Sequence, residues 1–385
     1  MDKVYALIDC DSFFVSCEQA VSPELKRKPV CVTGGVNGCV VSRSREAKKA
    51  GVPMGYPVFM AQKEFKNVIY IEANHQRYKD FSDKIMDILR DFSPSVEVCS
   101  IDEAYVDFTG LCRLYKKNYF DLAVFLRQKI LDEVDIPVSI GVSKSKTLAK
   151  FASDYAKNQG GVYLIGKSKL KKILPNTKID NICGVGRRMK TALNKEGILT
   201  CSEFVEKTDE WLKKKYSITY KEIKHELLGE CIYKISPEYK APKSIQETSS
   251  FAPSTNEKDF LKNELNKHIK DACRKLRKHN LKSSNIGVML KTKDFVVYSE
   301  SKNVHIPLNL ELDISKQVFE LFENIYNPNL LYRSTGVYFS SLSGEDIIQG
   351  NLFDANHNEK SDNLSASIDK IESKFGKGSI KTGFI

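Results

Sequence analysis

Tryptophan occurs once in 385 residues, histidine six times and never in a cluster, and none of the ten cysteines belongs to a C-x-x-C pair. Isolated histidines and unpaired cysteines argue against a zinc site and against a dithiol redox motif. The cysteines at 10, 17, 31, 39, 99, 112, 183, 201, 231 and 273 are scattered, about half of them inside apolar runs, where a free thiol behaves as a small hydrophobe. This usage predicts a reducing, cytoplasmic compartment. No charge-free stretch approaches the roughly 20 apolar residues of a membrane helix, and Val30–Ser42, free of charge, is broken by Gly34, Gly35 and Gly38. Met1-Asp2-Lys3 leads into a strand-like run rather than a signal-peptide pattern. No internal repeat or low-complexity block is visible. Apolar residues at 41% and charged residues at 28% exclude a disordered, collagen-like or coiled-coil chain. At roughly 100–200 residues per domain, the length predicts two to four domains.

The chain also lacks acidic excess. Sixty Lys and Arg face 49 Asp and Glu, a net charge of +11. Residues 166–243 hold 18 basic against 10 acidic side chains, whereas residues 1–165 hold 23 against 21. A local surplus of this kind is what a nucleic-acid contact surface carries, although Lys213-Lys214-Lys215 alone reads as a solvated face.

Val4–Cys10 is an apolar run ending in carboxylates, the pattern of a buried strand that presents acids at its end. Val30–Thr33 and Gly38–Val41 form a hairpin signal. Helices are predicted over Arg45–Ala50, His75–Phe92, Phe120–Leu131 and Lys146–Ala156, and strands over Val96–Phe108 and Pro137–Val142. Short helices follow around Gly184-Val185-Gly186, and Ser236–Ser244 reads as a linker. Beyond it the order is strand Glu247–Ala252, helix Lys258–Asn280, strands Asn285–Lys291 and Val296–Pro307, helix Leu310–Tyr326 and strand Thr335–Ser340. That βαββαβ order predicts a small split βαβ domain, with Leu261, Leu265, Ile269, Ala272 and Leu276 as an apolar helix stripe.

Asp9 and Asp11 flank Cys10, so their side chains share a face of the strand. Ser100-Ile101-Asp102-Glu103-Ala104 puts two adjacent acids in a second strand region. Desolvated carboxylates must be paired or bound to a cation. If the two strands adjoin, Asp9, Asp102 and Glu103 make an oxygen-ligand site for Mg²⁺; otherwise they are strand-end surface acids. Asp107 reads as a structural partner.

These segments carry a resemblance. IDCDSFFVSCE at 8–18 with SIDEAYVDF at 100–108 resembles the palm signature of the Y-family translesion DNA polymerases. SRSREAKKAGVPMG at 42–55 is similar to their fingers segment, and GVSKSKTLAKFASDYAKNQGG at 141–161 to their second palm helix. The fingers variant and SIDKIESKFGKGSI at 367–380 lean toward the UmuC-like branch, that of the polymerase V catalytic subunit, with the DinB-like branch as runner-up. The resemblance implies an α+β multidomain right-hand polymerase. Its parts are a ferredoxin-like palm (1–10 and 75–165), small fingers (11–74), a helix-hairpin-helix thumb (166–235), a linker (236–244), a βαββαβ little finger (245–343) and a C-terminal tail (344–385). It further implies translesion synthesis in SOS-type damage tolerance, with low fidelity. Two Mg²⁺ ions would sit on Asp9, Asp102, Glu103 and the Cys10 backbone carbonyl, while Asp11 is not counted as a ligand. The alternative is a regulatory relative that binds DNA and clamp without catalysis; the three acids and the Phe gate favour the enzyme.

By the same resemblance Phe14 is the steric gate, whose ring leaves no space for a 2′-hydroxyl; Phe13 beside it is counted with the nucleotide-binding residues, although by itself it reads as a core aromatic. Ser42, Arg43, Arg45, Lys48 and Lys157 are the candidates for triphosphate contacts. Arg45 and Lys48 stand where many relatives have Tyr and Arg, and a lysine offers no bidentate fork. Lys144, Lys146 and Lys150 read as a solvated or DNA-facing helix side. Ile182–Lys190 has the h-x-G-x-G form of a helix-hairpin-helix, in which Gly184 and Gly186 let the backbone approach a phosphate and Arg187, Arg188 and Lys190 add charge. Gln349-Gly350-Asn351-Leu352-Phe353 resembles the Q-x-x-L-F peptides that bind bacterial sliding clamps, with Gln349, Leu352 and Phe353 as anchors and Gly350 where relatives carry an apolar residue. The implied partners are primer-template DNA, deoxynucleoside triphosphates and the sliding clamp. An UmuD-like subunit or a recombinase filament stays open, and no membrane is involved.

Overall fold

Tyr5-Ala6-Leu7-Ile8 shows no polar alternation because β1 (Tyr5–Cys10) lies in the middle of a five-stranded sheet and is buried throughout. Strands covered on both faces read as continuous apolar runs. The computed structural model describes residues 3–35, 38–237 and 241–344, with isolated positions between 367 and 379. The chain forms two units, Met1–Glu238 and Tyr239–Ile385.

In the first unit β1 is followed by α1 (Phe13–Val21), β2 (Val30–Thr33), β3 (Val40–Arg43), α2 (Arg45–Lys49), α3 (Val58–Glu64), β4 (Ile69–Glu72) and α4 (His75–Phe92). Then come β5 (Val96–Val98), β6 (Glu103–Asp107), α5 (Leu111–Tyr115), α6 (Tyr119–Val134), β7 (Val138–Ser143), α7 (Lys146–Ala156) and β8 (Val162–Leu164). The helical remainder comprises α8 (Lys167–Ile173), α9 (Arg187–Lys195), α10 (Cys201–Val205), α11 (Asp209–Lys215) and α12 (Ile218–Leu227).

The main sheet has the order β5-β6-β1-β7-β8, antiparallel except between β7 and β8. Tyr78, Ile85 and Leu89 of α4 and Leu122, Leu126 and Ile130 of α6 pack in its core. Phe13, Val15 and Cys17 belong to the same core. The sequence groups them with residues 11–74, but a helix that starts three residues after a central strand has its apolar face against that strand's core. A second sheet, β3-β2-β4, has its own small core of Cys31, Val40, Ala47, Val52 and Ala61.

The seating of α7 decides the geometry of the site. A Cβ on Gly141 in β7 would lie 2.0 Å from the Ser153 amide nitrogen and 2.2 Å from the Ala149 carbonyl oxygen. Helix backbone therefore rests directly on strand backbone, which only glycine allows. Ser145 caps α7 by accepting from Leu148 N, and the buried Glu226 carboxylate accepts from Thr147 N at 2.9 Å. An acid at a helix N-terminus is stabilised by the helix dipole, and Glu226 also accepts from Ile232 N and Tyr233 N. Leu148 and Phe151 of α7 join Leu193, Phe204, Leu212, Ile223 and Leu227 in the core of the helical segment.

The second unit runs β9 (Ile245–Thr255), α13 (Lys258–Lys278), β10 (Leu281–Thr292), β11 (Val297–Leu308), α14 (Glu311–Ile325) and β12 (Tyr332–Gly344). Its antiparallel sheet has the order β11-β10-β12-β9. Both helical crossovers are split by an intervening strand, and the second and fourth strands are central. Leu261, Leu265, Ile269, Ala272 and Leu276 are buried against Ile286, Val288, Val337 and Phe339, as the stripe predicts. Among the described residues no helix is long and apolar enough to cross a membrane. Gln349, Leu352 and Phe353 lie outside the described residues.

Candidate active site

The pairing of β1 with β6 sets Asp9 opposite Glu103, and Cys10 N donates to the Asp102 carbonyl at 2.9 Å. The acids predicted from two distant segments therefore lie on adjoining strands. They do not converge as a ready-made ligand set. Lys150 Nζ donates to Asp9 Oδ2 and to Glu103 Oε2, both at 2.8 Å. Lys157 Nζ pairs with Asp9 Oδ1 at 3.1 Å, and the Asp102 carboxylate is held by the Ser100 hydroxyl. Among the described residues no group of three or more His, Cys, Asp or Glu side chains is positioned to hold a metal ion. The donor chemistry nonetheless suits Mg²⁺, since hard carboxylate oxygens sit side by side and two ammonium groups now supply the charge.

Lys150 is thus not the solvated helix side that the sequence suggests, and neither is Lys146, which is buried and paired with Glu97. Both corrections follow from the close seating of α7 over Gly141. Burial opposes the charge on Lys150, but its hydrogen bonds to Asp9 and Glu103 outweigh it and hold its pKa well above the ordinary value. At Lys157 burial is likewise outweighed, by Asp9 and Asp154, and the pKa is raised. Asp11 turns to Ser139, whose hydroxyl donates to it at 2.8 Å; burial raises its pKa against that hydrogen bond. The Cys10 thiol is buried, and burial together with Asp102 and Asp9 pushes it well up. Asp107 pairs with Lys3 at 2.8 Å, a structural role.

Phe13 is buried in the core, while Phe14 is half-buried and stacks on Tyr78 with centroids 4.4 Å apart and planes 14° apart. His75 meets the same ring edge-on at 6.1 Å. Tyr78 donates to Glu18 at 2.8 Å, and Glu18 pairs with Arg77. This backing is not legible in the sequence. Its signal lay in the α4 pattern, where Tyr78 reads only as one more apolar position.

Ser42 is buried and donates to the Ser12 carbonyl at 3.2 Å; Lys48 Nζ donates to Ser12 Oγ at 2.8 Å. Ser42 and Lys48 therefore meet at the turn between β1 and α1, close to Phe14. Burial, reinforced by Arg43, Lys157 and Arg45, lowers the Lys48 pKa. Arg43 departs from its predicted role. Strand alternation sends it the other way from Ser42, and its Nη1 donates to the Val52 carbonyl at 2.6 Å in the small core of the second sheet. Arg45 is exposed and lines a cavity with Lys48 and Lys157.

In the helical segment Gly184 has φ 95°, and a Cβ there would press on Ile223 at 3.0 Å. Gly186 is the N-cap of α9, with open space at its Cβ position. Arg187 and Arg188 are exposed. Lys190 is not a free cation: it pairs with Asp180 at 2.6 Å, one helical turn having brought it back over the preceding loop.

Comparison with known proteins accounts for both units. A model of the impB/mucB/samB family matches residues 8–154, and a model of that family's C-terminal domain matches residues 242–352. Protein UmuC of Salmonella typhimurium is 29% identical over 98% of this chain and 92% of its own length. DNA polymerase IV of Dehalococcoides mccartyi is 31% identical, covering 98% of this chain and 96% of its own. Among solved structures, the Y-family DNA polymerase chimera Dbh-Dpo4(243-245)-Dbh gives a TM-score of 0.73 at 25% identity, covering 89% of this chain and 99% of that one. An insertion ternary complex of Dbh DNA polymerase gives 0.58 at 26%, covering 88% and 98%. With acids, fold and full-length relatives in agreement, the chain belongs to the impB/mucB/samB family of Y-family DNA polymerases.

Proposed function

We propose that the protein is a template-directed translesion polymerase of low fidelity, acting in SOS-type damage tolerance. The observation that carries this reading is the register that sets Asp9 against Glu103, with Asp102 adjoining, beside the gate ring and the cations at Ser12. Two Mg²⁺ ions held by these three carboxylates and the Cys10 carbonyl would activate the primer 3′-hydroxyl and stabilise the departing pyrophosphate. The residues do the rest. Asp9 and Glu103 give up or share Lys150, and Asp102 turns from Ser100. Phe14, braced by Tyr78, fills the space that a 2′-hydroxyl would need. Arg45, Lys48 and Lys157 neutralise the triphosphate, and Ser42 orients the turn beneath it. Gly184, Gly186, Arg187 and Arg188 hold backbone phosphates of primer-template DNA, contacts that carry no sequence information.

In the same reading Gln349, Leu352 and Phe353 anchor the chain to a sliding clamp, and an UmuD-like subunit or a recombinase filament is a further partner. Palm, fingers, thumb and little finger follow the limits given by the sequence, except that α1 packs with the palm core. Primer extension tests the core of the proposal. Asp102→Ala should incorporate no nucleotide while binding primer-template DNA as the wild type does, and normal incorporation by this variant would overturn it.

A further inference from the structure

A cavity of about 580 Å³ opens between α1, α2, the middle of α6 and the C-terminal end of α7, within the roughly 300–1,000 Å³ of small-molecule sites. Its α1 wall is Ser12, Val15, Ser16 and Gln19, spaced as one helical face. Phe14 leaves that face and stacks on Tyr78, so the cavity lies away from the sugar gate. The triphosphate cradle of Ser12, Arg45, Lys48 and Lys157 lines it, and so do Arg27 and Arg127, which lie outside that cradle. Five basic side chains thus face two acidic ones, Asp11 and Glu46, and Asp11 is already hydrogen-bonded by Ser139.

These two added arginines are placed with care. Arg127 Nε donates to the Val138 carbonyl at 3.1 Å, and the guanidinium is seated against Gly161, where a Cβ would come within 2.3 Å of Nε. That fixes the orientation of the fork. Arg27 has φ 63°, a left-handed conformation uncommon for a residue with a side chain and one that concentrates at ligand sites. Among the described residues neither Arg27 nor Arg45 has a carboxylate partner. An arginine fork binds phosphate oxygens in pairs. Pyrophosphate set free carries more negative charge than the same two phosphates still esterified, so arginines beyond the cradle favour the product over the bound substrate.

We infer that this cavity is a polyphosphate site longer than the triphosphate cradle, with Arg27 and Arg127 receiving inorganic pyrophosphate as it leaves. The inference rests on the polymerase reading above. It is tested by calorimetric titration of the full-length, DNA-free protein with pyrophosphate, orthophosphate and a deoxynucleoside triphosphate. The three proteins are the wild type, Arg27→Ala and Arg127→Lys, the last keeping charge and bulk while losing the fork. Each substitution should weaken pyrophosphate binding by roughly tenfold, the loss of one charge-assisted contact, and weaken triphosphate binding distinctly less. Unchanged pyrophosphate affinity in both variants would overturn the inference, as would equal losses for both ligands or orthophosphate binding as tight as pyrophosphate. A wild type that binds the triphosphate but not pyrophosphate would sink the pyrophosphate site alone; one that binds neither would sink the polymerase reading with it. Arg27 is exposed, so its variant keeps the test open should Arg127→Lys fold poorly.

Discussion

At the acid cluster beneath α7 the carboxylates have partners: Asp9 has Lys150 and Lys157, Glu103 shares Lys150, and Asp102 has Ser100. At the glycine hairpin ahead of α9, Arg187 and Arg188 stand exposed, and only Lys190 is paired, with Asp180. In the proposed reading each place carries the charge that its task needs. The first would hold reacting groups within a fraction of an ångström, and its charges are locked by internal partners. The second would meet a uniform phosphate backbone that slides past, and its charges face water, where salt screens them. Geometry is stored where bonds change, and charge is left loose where binding must be transient.

The hardest blow to the locked side is at Gly141. Gly141→Ala puts a methyl into the backbone of α7, so the variant should lose about 3 kcal/mol, the upper end of overpacking costs, in urea denaturation. Wild-type stability would mean that α7 is not held by this contact. Lys150→Met leaves Asp9 and Glu103 facing each other without their shared donor. Stability in EDTA at neutral pH should fall by about 1.5–3 kcal/mol, as for hydrogen bonds to charged groups. Because the Lys150 pKa is raised above 10.5 on folding, its contribution is complete below pH 10.5 and is lost as pH rises through the raised value. The gap between variant and wild type should therefore close only above that pH, and a gap that closes near neutrality would contradict the pairing.

Phe14→Ala tests the gate. Ribonucleotide incorporation should rise on the order of tenfold to a hundredfold, the scale on which pockets sort a single hydroxyl, with deoxynucleotide incorporation much less affected; single-nucleotide kinetics read both. On the open side, replacing Arg187 and Arg188 by Ala should flatten the log–log salt dependence of DNA affinity by about one to two units, measured by fluorescence anisotropy at several salt concentrations. The smallest effect lies in the same helical segment. Hydrogen bonds to Asp209 and Glu230 raise the His225 pKa from 6.5, so its stabilising charge is fully present below pH 6.5 and lost as pH rises through the raised value. His225→Gln should remove that dependence from the urea midpoint and leave DNA affinity alone.

Local patterns made part of this legible. A continuous apolar run marks β1, and the stripe of α13 gives its buried face residue by residue. Asp9, Asp102 and Glu103 stand out because two strand ends carry acids that a core would not tolerate unpaired. The role of Lys150 was hidden, since it depends on a glycine in β7 that lets α7 settle above a strand 140 residues earlier. In the sequence Arg43 reads as one of a run of cations. Alternation along β3, with Ser42 buried toward Ser12, sends Arg43 to Val52 instead. The brace behind Phe14 is invisible for a related reason: Tyr78 fills the core and stacks on Phe14 with the same ring.

The most direct test of the whole account is single-turnover incorporation of one deoxynucleotide by the wild type, Asp102→Asn and Glu103→Gln, with primer-template affinity measured on the same samples. These variants keep shape and remove charge. The account predicts incorporation reduced on the order of a thousandfold, as when a preorganised charged group is lost at a reacting centre, at unchanged DNA affinity. Incorporation at the wild-type rate by either variant would contradict it.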